Sequence, residues 1–481
     1  MSERPDFSPL PPKVQTLAEA QALIEMLWDI ARQTVQQVQA LQAQVAELQE
    51  PLGVSSRNSS KPPSQDGPDV SRPPLKKTSG RPRGGQPGHA GHARALLPTE
   101  EVDRVIECRP PQTVCDCGEP LPVAQTPSWR HQVTELPEVN PQVTEYQGFD
   151  LTCPRCGTRH EAERPKGVPS GQLGPRLLAE IGLLAGRYHL SLRLIQAWLQ
   201  DRYGLSFSLG VLSAAQGRLA AALEEVTAQV QQAVREAEVV HSDETSRRYR
   251  NERRWLWVAA TTLWVAFCTT VSRGQAEATV LLGELVARIV ITDRYSAYHW
   301  LPLACRQICW AHLLRDFERI AGRLGEAGRI GRWLRAYGQV LFRWHHRYQE
   351  GELDAPTYQR RMAWLRGRIR RQLEHGAGGW HAKTAGTCKK LLQVEPALWT
   401  FVTHPEVPPT NNRAERALRP FVIWRKLSLH TQAKRGDLFI ERILTVVETC
   451  RLQRRPVAEY LTAVVMAHLA GEPPPSLVSV P

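Results

Sequence analysis

Near the start of the chain, apolar or small residues recur in 3-4 alternation: Leu17, Ala20, Ile24, Leu27, Ala31, Thr34, Val38, Leu41, Val45 and Leu48. Gln and Glu fill many of the intervening positions. A heptad seam sustained over more than four heptads predicts a coiled-coil helix over residues 14–50 and self-association through it. The competing expectation is a helix packed on its own domain; a polar opposite face favours the zipper. Ala31 and Thr34 weaken the middle of the seam.

The periodicity then stops. Residues 51–100 are rich in Pro, Gly, Ser and basic residues, a composition that buries too little apolar surface to offset its ordering entropy, so a disordered basic linker is expected. Its cations Lys76, Lys77, Arg81 and Arg83 are candidate DNA contacts, because an extended Gly80-Arg81-Pro82-Arg83 suits the negative potential of an A·T-rich minor groove. A solvated linker is the alternative. Over 101–165, Cys115-Asp-Cys117 and Cys153-Pro-Arg-Cys156-Gly157 flank a β-rich spacer and suggest a tetrahedral structural zinc module. The first pair is one residue shorter than the usual knuckle, so Cys108 is a possible substitute ligand. Unrelated thiols are the plainer account. Residues 173–237 read as helical, with a break at Tyr203-Gly204-Leu205-Ser206 and a Ser208 cap that give a helix-turn-helix-like, DNA-binding outline.

At Val239 the period changes to that of strands. Val239–Asp243 reads as a short strand ending in an acid, Trp255–Thr261 and Trp264–Val271 as a hairpin, Glu277–Leu285 as a helix, and Ile289–Asp293 as a buried strand ending in a second acid. That is the order of elements in ribonuclease-H-like folds, in which the first and fourth strands lie side by side. Asp243 and Asp293 are then neighbours, and two such carboxylates repel unless a cation neutralises them. Glu244 rivals Asp243 within the same turn; Asp243 is preferred for its strand-end position. The third acid is Glu415 in Asn411-Asn412-Arg413-Ala414-Glu415-Arg416, where Thr410 or Asn411 caps a helix and places Glu415 in its first turns. Three oxygen ligands suit two magnesium or manganese ions set about 3.5–4 Å apart for in-line phosphoryl displacement.

About 120 residues separate Asp293 from Glu415 and form a helical insertion over 311–405. Arginine runs through it from Arg315 to Arg371, interleaved with Trp333, Trp344, Trp364 and Trp380, and Trp310 stands at its edge. Such a mixture suits nucleic-acid contact, but the simpler expectation puts most of the tryptophans in a core. The catalytic core thus spans 238–310 and resumes over 406–470 with C-terminal helices. The fold class is multidomain α+β. The Pro-rich tail after Glu472 reads as disordered.

Charge sharpens this picture. The 481 residues carry a formal +13, which favours a polyanionic partner. About three domains fit the length. With no signal peptide, no apolar run of about 20 residues and cysteines in short-spaced pairs, a reducing bacterial cytoplasm, nucleoid-associated and without membrane contact, is expected.

Taken with Asn58-Ser59-Ser60-Lys61-Pro62-Pro63-Ser64, Gly84-Gly85-Gln86-Pro87-Gly88-His89, His241-Ser242-Asp243-Glu244-Thr245, Thr292-Asp293-Arg294-Tyr295 and Cys309-Trp310-Ala311-His312-Leu313, the chain resembles transposases of the bacterial insertion-sequence family sixty-six over nearly its whole length. The resemblance implies a DDE transposase that binds terminal inverted repeats, cleaves at the element ends and transfers them into target DNA, with accessory proteins of the same element as further partners. It also implies that Cys309 and His312 support the active site. The contracted first cysteine pair departs from the pattern. A ribonuclease-H-like nuclease and a catalytically inert DNA-binding regulator are the alternatives: the first leaves the zipper and finger unexplained, the second leaves three ordered acids to accident.

Overall fold

The computed structural model describes residues 14, 16–52, 94–284, 288–428 and 431–479. Lys76, Lys77, Arg81, Arg83 and both linker motifs lie outside the described residues. Two compact units divide the chain, residues 1–67 with 146–481, and residues 68–145.

The heptad segment forms one helix, α1 (Leu17–Leu52). Seam residues Leu17, Ile24, Leu27, Val38, Leu41 and Val45 are exposed along it, but so are Met26, Trp28, Ile30 and Val35 away from the seam. The opposite face is therefore not wholly polar as expected. Residues 68–145 hold little regular structure among those described: a 3-10 turn at Thr99–Glu101 and a reverse turn built on Cys115 and Gly118. In the other unit, a two-stranded ribbon, β1 (Leu151–Thr152) and β2 (Arg159–His160), carries the second cysteine pair at its tip.

Helices α2 (Pro175–Gly186), α3 (Leu192–Tyr203), α4 (Leu209–Ala222) and α5 (Glu224–Glu236) follow. Local chemistry sets their ends: Gly204 takes the left-handed conformation (φ 66°) that closes α3, and the Ser208 hydroxyl accepts the Val211 N–H to open α4. The outline of a helix-turn-helix is present, but its second helix is not free to enter a groove. Leu212, Ala215, Leu219 and Ala220 are buried on α4, while Ser213 and Ala220 are bonded from Arg435 and Arg442. Nor is 173–237 a separate module, because these helices share one hydrophobic core with the sheet and the C-terminal helices.

The sheet is five-stranded, in the order β5 (Val265–Thr270), β4 (Glu252–Ala260), β3 (Val239–Tyr249), β6 (Ile289–Thr292), β7 (Arg306–Ile308). β3 runs antiparallel to β4 and parallel to β6; β6 runs parallel to β7. First and fourth strands are thus adjacent. Helix α6 (Gln275–Leu282) provides the crossover from β5 to β6. The first strand is longer than its apolar run: beyond Asp243, polar residues through Tyr249 continue it against β4, with a tight turn at Arg250 (φ 50°) and Asn251. Its buried positions are polar, Glu244 satisfied by Arg273 and Tyr298 and Arg247 by Asp437. Buried polar pairs carry no apolar alternation, which hid this stretch from the periodicity.

Strand alternation divides the interior in two. Val290 points into the core shared by β3–β5, α2–α5 and the C-terminal helices. Ile289 and Ile291 point the other way, into a second core with Ile308, Trp310 and the inserted helices. Those helices are α7 (Trp310–Ala321), α8 (Gly325–Gln349), α9 (Ala355–Ala377), α10 (Ala382–Gln393) and the single turn α11 (Thr400–Thr403). Trp310 is fully buried there, but Trp333, Trp364 and Trp380 are 51, 49 and 46 % exposed, contrary to the expectation of a tryptophan-filled core. Leu334, Leu341, Leu365, Ile369 and Leu373 fill it instead.

Helices α12 (Asn412–Leu427), α13 (Lys434–Leu452) and α14 (Val457–Ala470) complete the fold. The tail beyond them is ordered, against expectation. Leu477 is fully buried, and its carbonyl accepts from Trp264 Nε1 (3.1 Å) and Gln453 Nε2 (2.8 Å). One apolar anchor with satisfied carbonyls offsets the ordering cost that composition alone suggested.

Gly331 sits where α8 crosses α7: a Cβ there would lie 2.2 Å from the Ala321 backbone nitrogen. Gly331→Ala should therefore destabilise by about 1–3 kcal/mol through forced separation of the helices. Gly367, on the exposed side of α9, has open space around it, and Gly367→Ala should stabilise by about 1 kcal/mol. Urea unfolding of the two variants checks both signs; equal shifts would mean that backbone propensity alone, not the close crossing, decides.

Candidate active site

Asp243 stands on β3 just beyond the last residue, His241, that pairs with β6. Asp293 follows directly on the end of β6, its Oδ1 accepting the Tyr295 N–H (2.8 Å) so that the backbone turns sharply away from the strand. Glu415 lies in the first turn of α12. Three elements distant in sequence thus deliver one carboxylate each to the same end of the sheet. Their proximity is felt electrostatically: burial, then the negative charges of Glu244, Asp293 and Glu415, hold the Asp243 carboxyl well above the usual carboxylate range.

Glu244 is engaged elsewhere. It is buried, its Oε1 takes Arg273 Nε at 2.8 Å and its Oε2 takes the Tyr298 hydroxyl at 2.8 Å. The Tyr298 hydroxyl lies 3.2 Å from Ser242 Oγ, and the Arg273 guanidinium lies over the Tyr295 ring, 3.6 Å from its centroid. With Nε and Nη2 of Arg273 both on Oε1 and the Tyr298 hydroxyl on Oε2, most of the acceptor capacity of this carboxylate is already taken. Neighbouring positions on a strand face opposite ways, so Asp243 and Glu244 divide the open and the structural role between them.

Asn411 holds the three elements together. It is fully buried. Its side-chain nitrogen donates to Ser242 O (2.8 Å) and its side-chain oxygen lies 3.2 Å from His241 Nδ1, both on β3. Its backbone N–H donates to Cys309 Sγ (3.1 Å) at the end of β7, and its carbonyl accepts from Glu415 N (3.3 Å). A bond from Trp310 N–H to Pro409 O (2.9 Å) reinforces the junction. Asn411 does occupy the N-cap position of α12, but its side chain makes no cap bond: the amide that sequence assigned to the helix is spent on the strand.

Cys309 and His312 bracket the start of α7. The Cys309 thiol is buried and kept protonated, its pKa raised by desolvation. His312 is kept neutral, its pKa lowered first by burial and then by Arg315. His312 Nδ1 lies 3.7 Å and Arg315 Nη2 3.5 Å from Glu415 Oε1. Ligand atoms of Cys309, His312 and Glu415 all fall within 4.8 Å of one another. Glu415 Oε1 and His312 Nδ1 are both buried without a hydrogen-bond partner among the described residues. Arg315 donates to His312 Nε2 (3.3 Å), so the neutral ring carries its proton on Nδ1 and the unpartnered acceptor is Glu415 Oε1. A carboxylate oxygen without a hydrogen-bond donor beside a crowded second carboxylate fits a divalent cation, although the ligand atoms that lie within 4.8 Å of one another are those of Cys309, His312 and Glu415, without Asp243 or Asp293. A cleft of about 610 Å³ opens alongside, lined by Asp293, His312, Arg294, Arg315, Arg319 and Lys390 among others. Acid at its floor and cation on its wall suit a phosphodiester. Arg306, fully buried, anchors the floor by donating to Thr292 Oγ1 (3.0 Å) and to the Asp293 carbonyl (2.8 Å). Nothing in its sequence context marked Arg306, Asn411 or the Glu244–Tyr298 pair for these roles.

Each cysteine pair sits on a turn, the first one residue tighter than the second. In one unit Cys115 N–H donates to Glu119 O and Gly118 N–H to Cys115 O; in the other Cys153 N–H donates to Thr158 O and Gly157 N–H to Cys153 O. Gly118 (φ 89°) and Gly157 (φ 73°) supply the left-handed residue each turn requires. Hydrogen bonds from Thr158 and then Cys153 lower the Cys156 thiol to about 7. The contracted first pair therefore forms a turn in spite of its missing residue. Cys108 is exposed outside it, its thiol 4.0 Å from the carbonyl of Ile106.

Replacing Asn411 by Ala removes a buried side chain with two partners, and should cost about 1–3 kcal/mol while loosening Glu415 from β3; urea unfolding reads the first effect. His241 carries a pH dependence. Burial, then the charge of Arg413, lower its pKa to about 4, against the weaker opposing pull of Asn411. The folded value lies below the unfolded value of about 6.5, so the stability contributed by neutral His241 is complete above pH 6.5 and lost as pH falls toward 4. The loss amounts to about 3 kcal/mol at 1.36 kcal/mol per pKa unit. In His241→Gln the difference in stability between pH 7 and 4.5 should shrink accordingly; an unchanged difference would exclude His241 as its source.

Comparison with known proteins accords with this arrangement. Residues 170–437, which include all three acids and the whole helical insertion, match the model of the transposase IS66 family. Residues 9–95 match a second family, of unknown function. Two uncharacterized proteins of Sinorhizobium fredii are similar: y4hP, 25 % identical over 78 % of this chain and 73 % of its own length, and y4qI, 26 % identical over 82 % and 76 %. With the family match spanning more than half of its length, the chain belongs to the IS66 family of transposases.

Proposed function

We propose that the protein is a DDE transposase that binds the terminal inverted repeats of its element, cleaves the DNA strands there and joins them to target DNA, using Asp243, Asp293 and Glu415 as ligands for two magnesium or manganese ions. The observation that carries this is the convergence of the three carboxylates on a sheet of order β5-β4-β3-β6-β7, with Glu415 Oε1 buried and without a hydrogen bond, its nearest cation Arg315 at 3.5 Å. That strand order and its single antiparallel-to-parallel change support a ribonuclease-H-like core. When bound, the divalent ions supply charge neutralisation at the scissile phosphate and an activated attacking oxygen.

The chain's own residues do the rest. Asn411 fixes the separation of the Asp243 and Glu415 backbones. Arg273 keeps Glu244 out of the site and, stacked on Tyr295, stiffens the turn after Asp293. The cations of the cleft wall, Arg294, Arg315, Arg319 and Lys390, hold phosphates beside the acids; Arg294 is itself steadied by Asp316. Neutral His312 keeps one ring nitrogen directed at Glu415 and orients it, while Cys309 serves by accepting the Asn411 N–H. Structural zinc on Cys115, Cys117, Cys153 and Cys156, DNA contact by Lys76, Lys77, Arg81 and Arg83, self-association through α1, and help from other proteins of the element complete the proposal. For α1, the support is a row of exposed Leu, Ile and Val along a helix of 36 residues, apolar surface that a partner helix would take out of water.

The experiment is incubation of labelled DNA carrying the element ends with the protein and magnesium. Wild type should nick at the ends and transfer the strands to a target. Asp243→Asn should bind the ends as tightly yet lose cleavage by a factor of at least about 10³, the scale of losing a ligand to the reacting centre. Cleavage without joining would favour a nuclease, and equal cleavage by the variant would remove Asp243 from the mechanism.

A further inference from the structure

Helices α8 and α9 form an antiparallel pair that holds eleven arginines, two glutamates (Glu326 and Glu374) and no lysine. Five of the arginines meet carboxylates: Arg329 with Glu326, Arg335 with Glu318, Arg347 with Glu352, Arg366 with Glu395 and Arg370 with Glu374. Arg361 and Arg368 do not, among the described residues; their guanidinium groups lie over the rings of Trp344 and Trp364, 5.2 and 5.1 Å from the centroids. Those rings belong to a continuous row. Trp333 stacks on Tyr337 (5.7 Å), Tyr337 meets Trp364 edge-on (6.3 Å), and Trp364 meets Trp344 (6.2 Å). On α8 the row occupies positions 333, 337 and 344, one face of the helix, about 16 Å long at 1.5 Å per residue.

Two of these tryptophans are half exposed, although the leucines and isoleucines of the same helices fill the core. Their exposure is therefore not a residue of poor packing. A patch of large rings kept in water needs an occupant. Arg, Trp and Tyr are enriched at protein interfaces as well, so the balance of charge decides. Eleven arginines against two glutamates on this helix pair, in a chain of net +13, favour a polyanion, and the planar fork of arginine both stacks and grips phosphate.

We propose that the Trp333–Tyr337–Trp364–Trp344 row, with Arg361 and Arg368, is a second DNA-contact face, separate from the acidic site, which binds a strand whose bases are unstacked. Bases lie against the rings and the guanidinium groups take the phosphates, as a strand-tolerant platform would. The proposal rests on DNA being the partner, but not on any chemistry by the acids.

The test uses the full chain in magnesium-free buffer, with a fluorescent oligothymidylate and a duplex, each about 20 nucleotides long, a length several such sites cover. Trp333→Ala with Trp364→Ala should weaken binding of the single strand by about tenfold or more, since one stacked base contributes that much, and should leave duplex binding within about twofold. Trp333→Phe with Trp364→Phe should retain single-strand binding. Arg361→Gln with Arg368→Gln should flatten the salt dependence of binding. Single-strand affinity unchanged in the alanine pair would overturn the proposal. So would a change of oligomeric state by sedimentation with DNA binding intact, which would make the row a protein–protein face. Both rings stand on the surface, so the fold survives their loss. If element ends are not cleaved but the alanine pair still loses the single strand, the transposase chemistry fails while this face stands.

Discussion

A single buried amide holds together the end of the sheet to which Asp243, Asp293 and Glu415 are delivered. Asn411 is the residue through which β3, β7 and α12 register against one another, because its four polar groups are divided among them with none left to water. Carboxylates on independent elements repel, so an apo site of three acids drifts apart unless something else fixes the backbones. A neutral, fully hydrogen-bonded group does this without adding charge; a lysine or arginine in its place would neutralise the acids and occupy the position that a cation is expected to take. The same logic explains Glu244. It is an acid close to the others, and the fold partly offsets its charge with Arg273 and satisfies it with Tyr298, while its field still reaches Asp243.

The two cores show how a long insertion is tolerated. β6 and β7 are short; β6 offers one face to the body of the protein and the other to the inserted helices, and β7 joins the inserted side through Ile308 and through Gln307, which bonds to Leu398 and Phe401. Alternation of Ile289, Val290 and Ile291 is enough to bind both. The insertion is thereby anchored to the strand that carries Asp293, and Trp310 and Trp399, packed edge to face at 5.2 Å, seal the joint. Geometry at the acid is coupled to the packing of helices that supply no acid of their own. The cleft wall profits from this, since Arg315 and Arg319 come from α7 at the root of the insertion and Lys390 from α10.

Much of this was legible in the sequence where the signal is local or periodic. Strand runs at 239–243 and 289–293, the Ser208 cap, the Gly204 stop and the placing of Glu415 in a first helical turn all follow from rules that act over a few residues. Three kinds of feature were not. The polar arm of β3 has no apolar alternation to betray it. The burial of α4 depends on α13, more than 200 residues away, and no property of the turn before α4 reports it. The side chain of Asn411 had a plausible local use as a cap and a non-local one on β3; proximity in sequence suggested the first, and the energetic need to satisfy a fully buried amide selected the second.

The tryptophans invert the usual inference in an informative way. Composition predicts that large aromatics between arginines fill a core, because burying a ring stabilises more than burying a methylene. Here Leu334, Leu341, Leu365, Ile369 and Leu373 already occupy the interior positions of α8 and α9, and helical spacing puts Trp333, Tyr337 and Trp344 on the flank of that stripe. A helix has room for only one such stripe facing its neighbour. The row therefore straddles the core edge, with Tyr337 and Trp344 partly buried against it and Trp333 and Trp364 half exposed, and Arg361 and Arg368 cover faces of Trp344 and Trp364. The acidic site and this cationic face share one support, the core that begins at β6: leucines and isoleucines of α8 and α9 fill it together with Tyr358, Trp333 and Trp364 stay half exposed at its edge, and the same core packs on the strand that precedes Asp293.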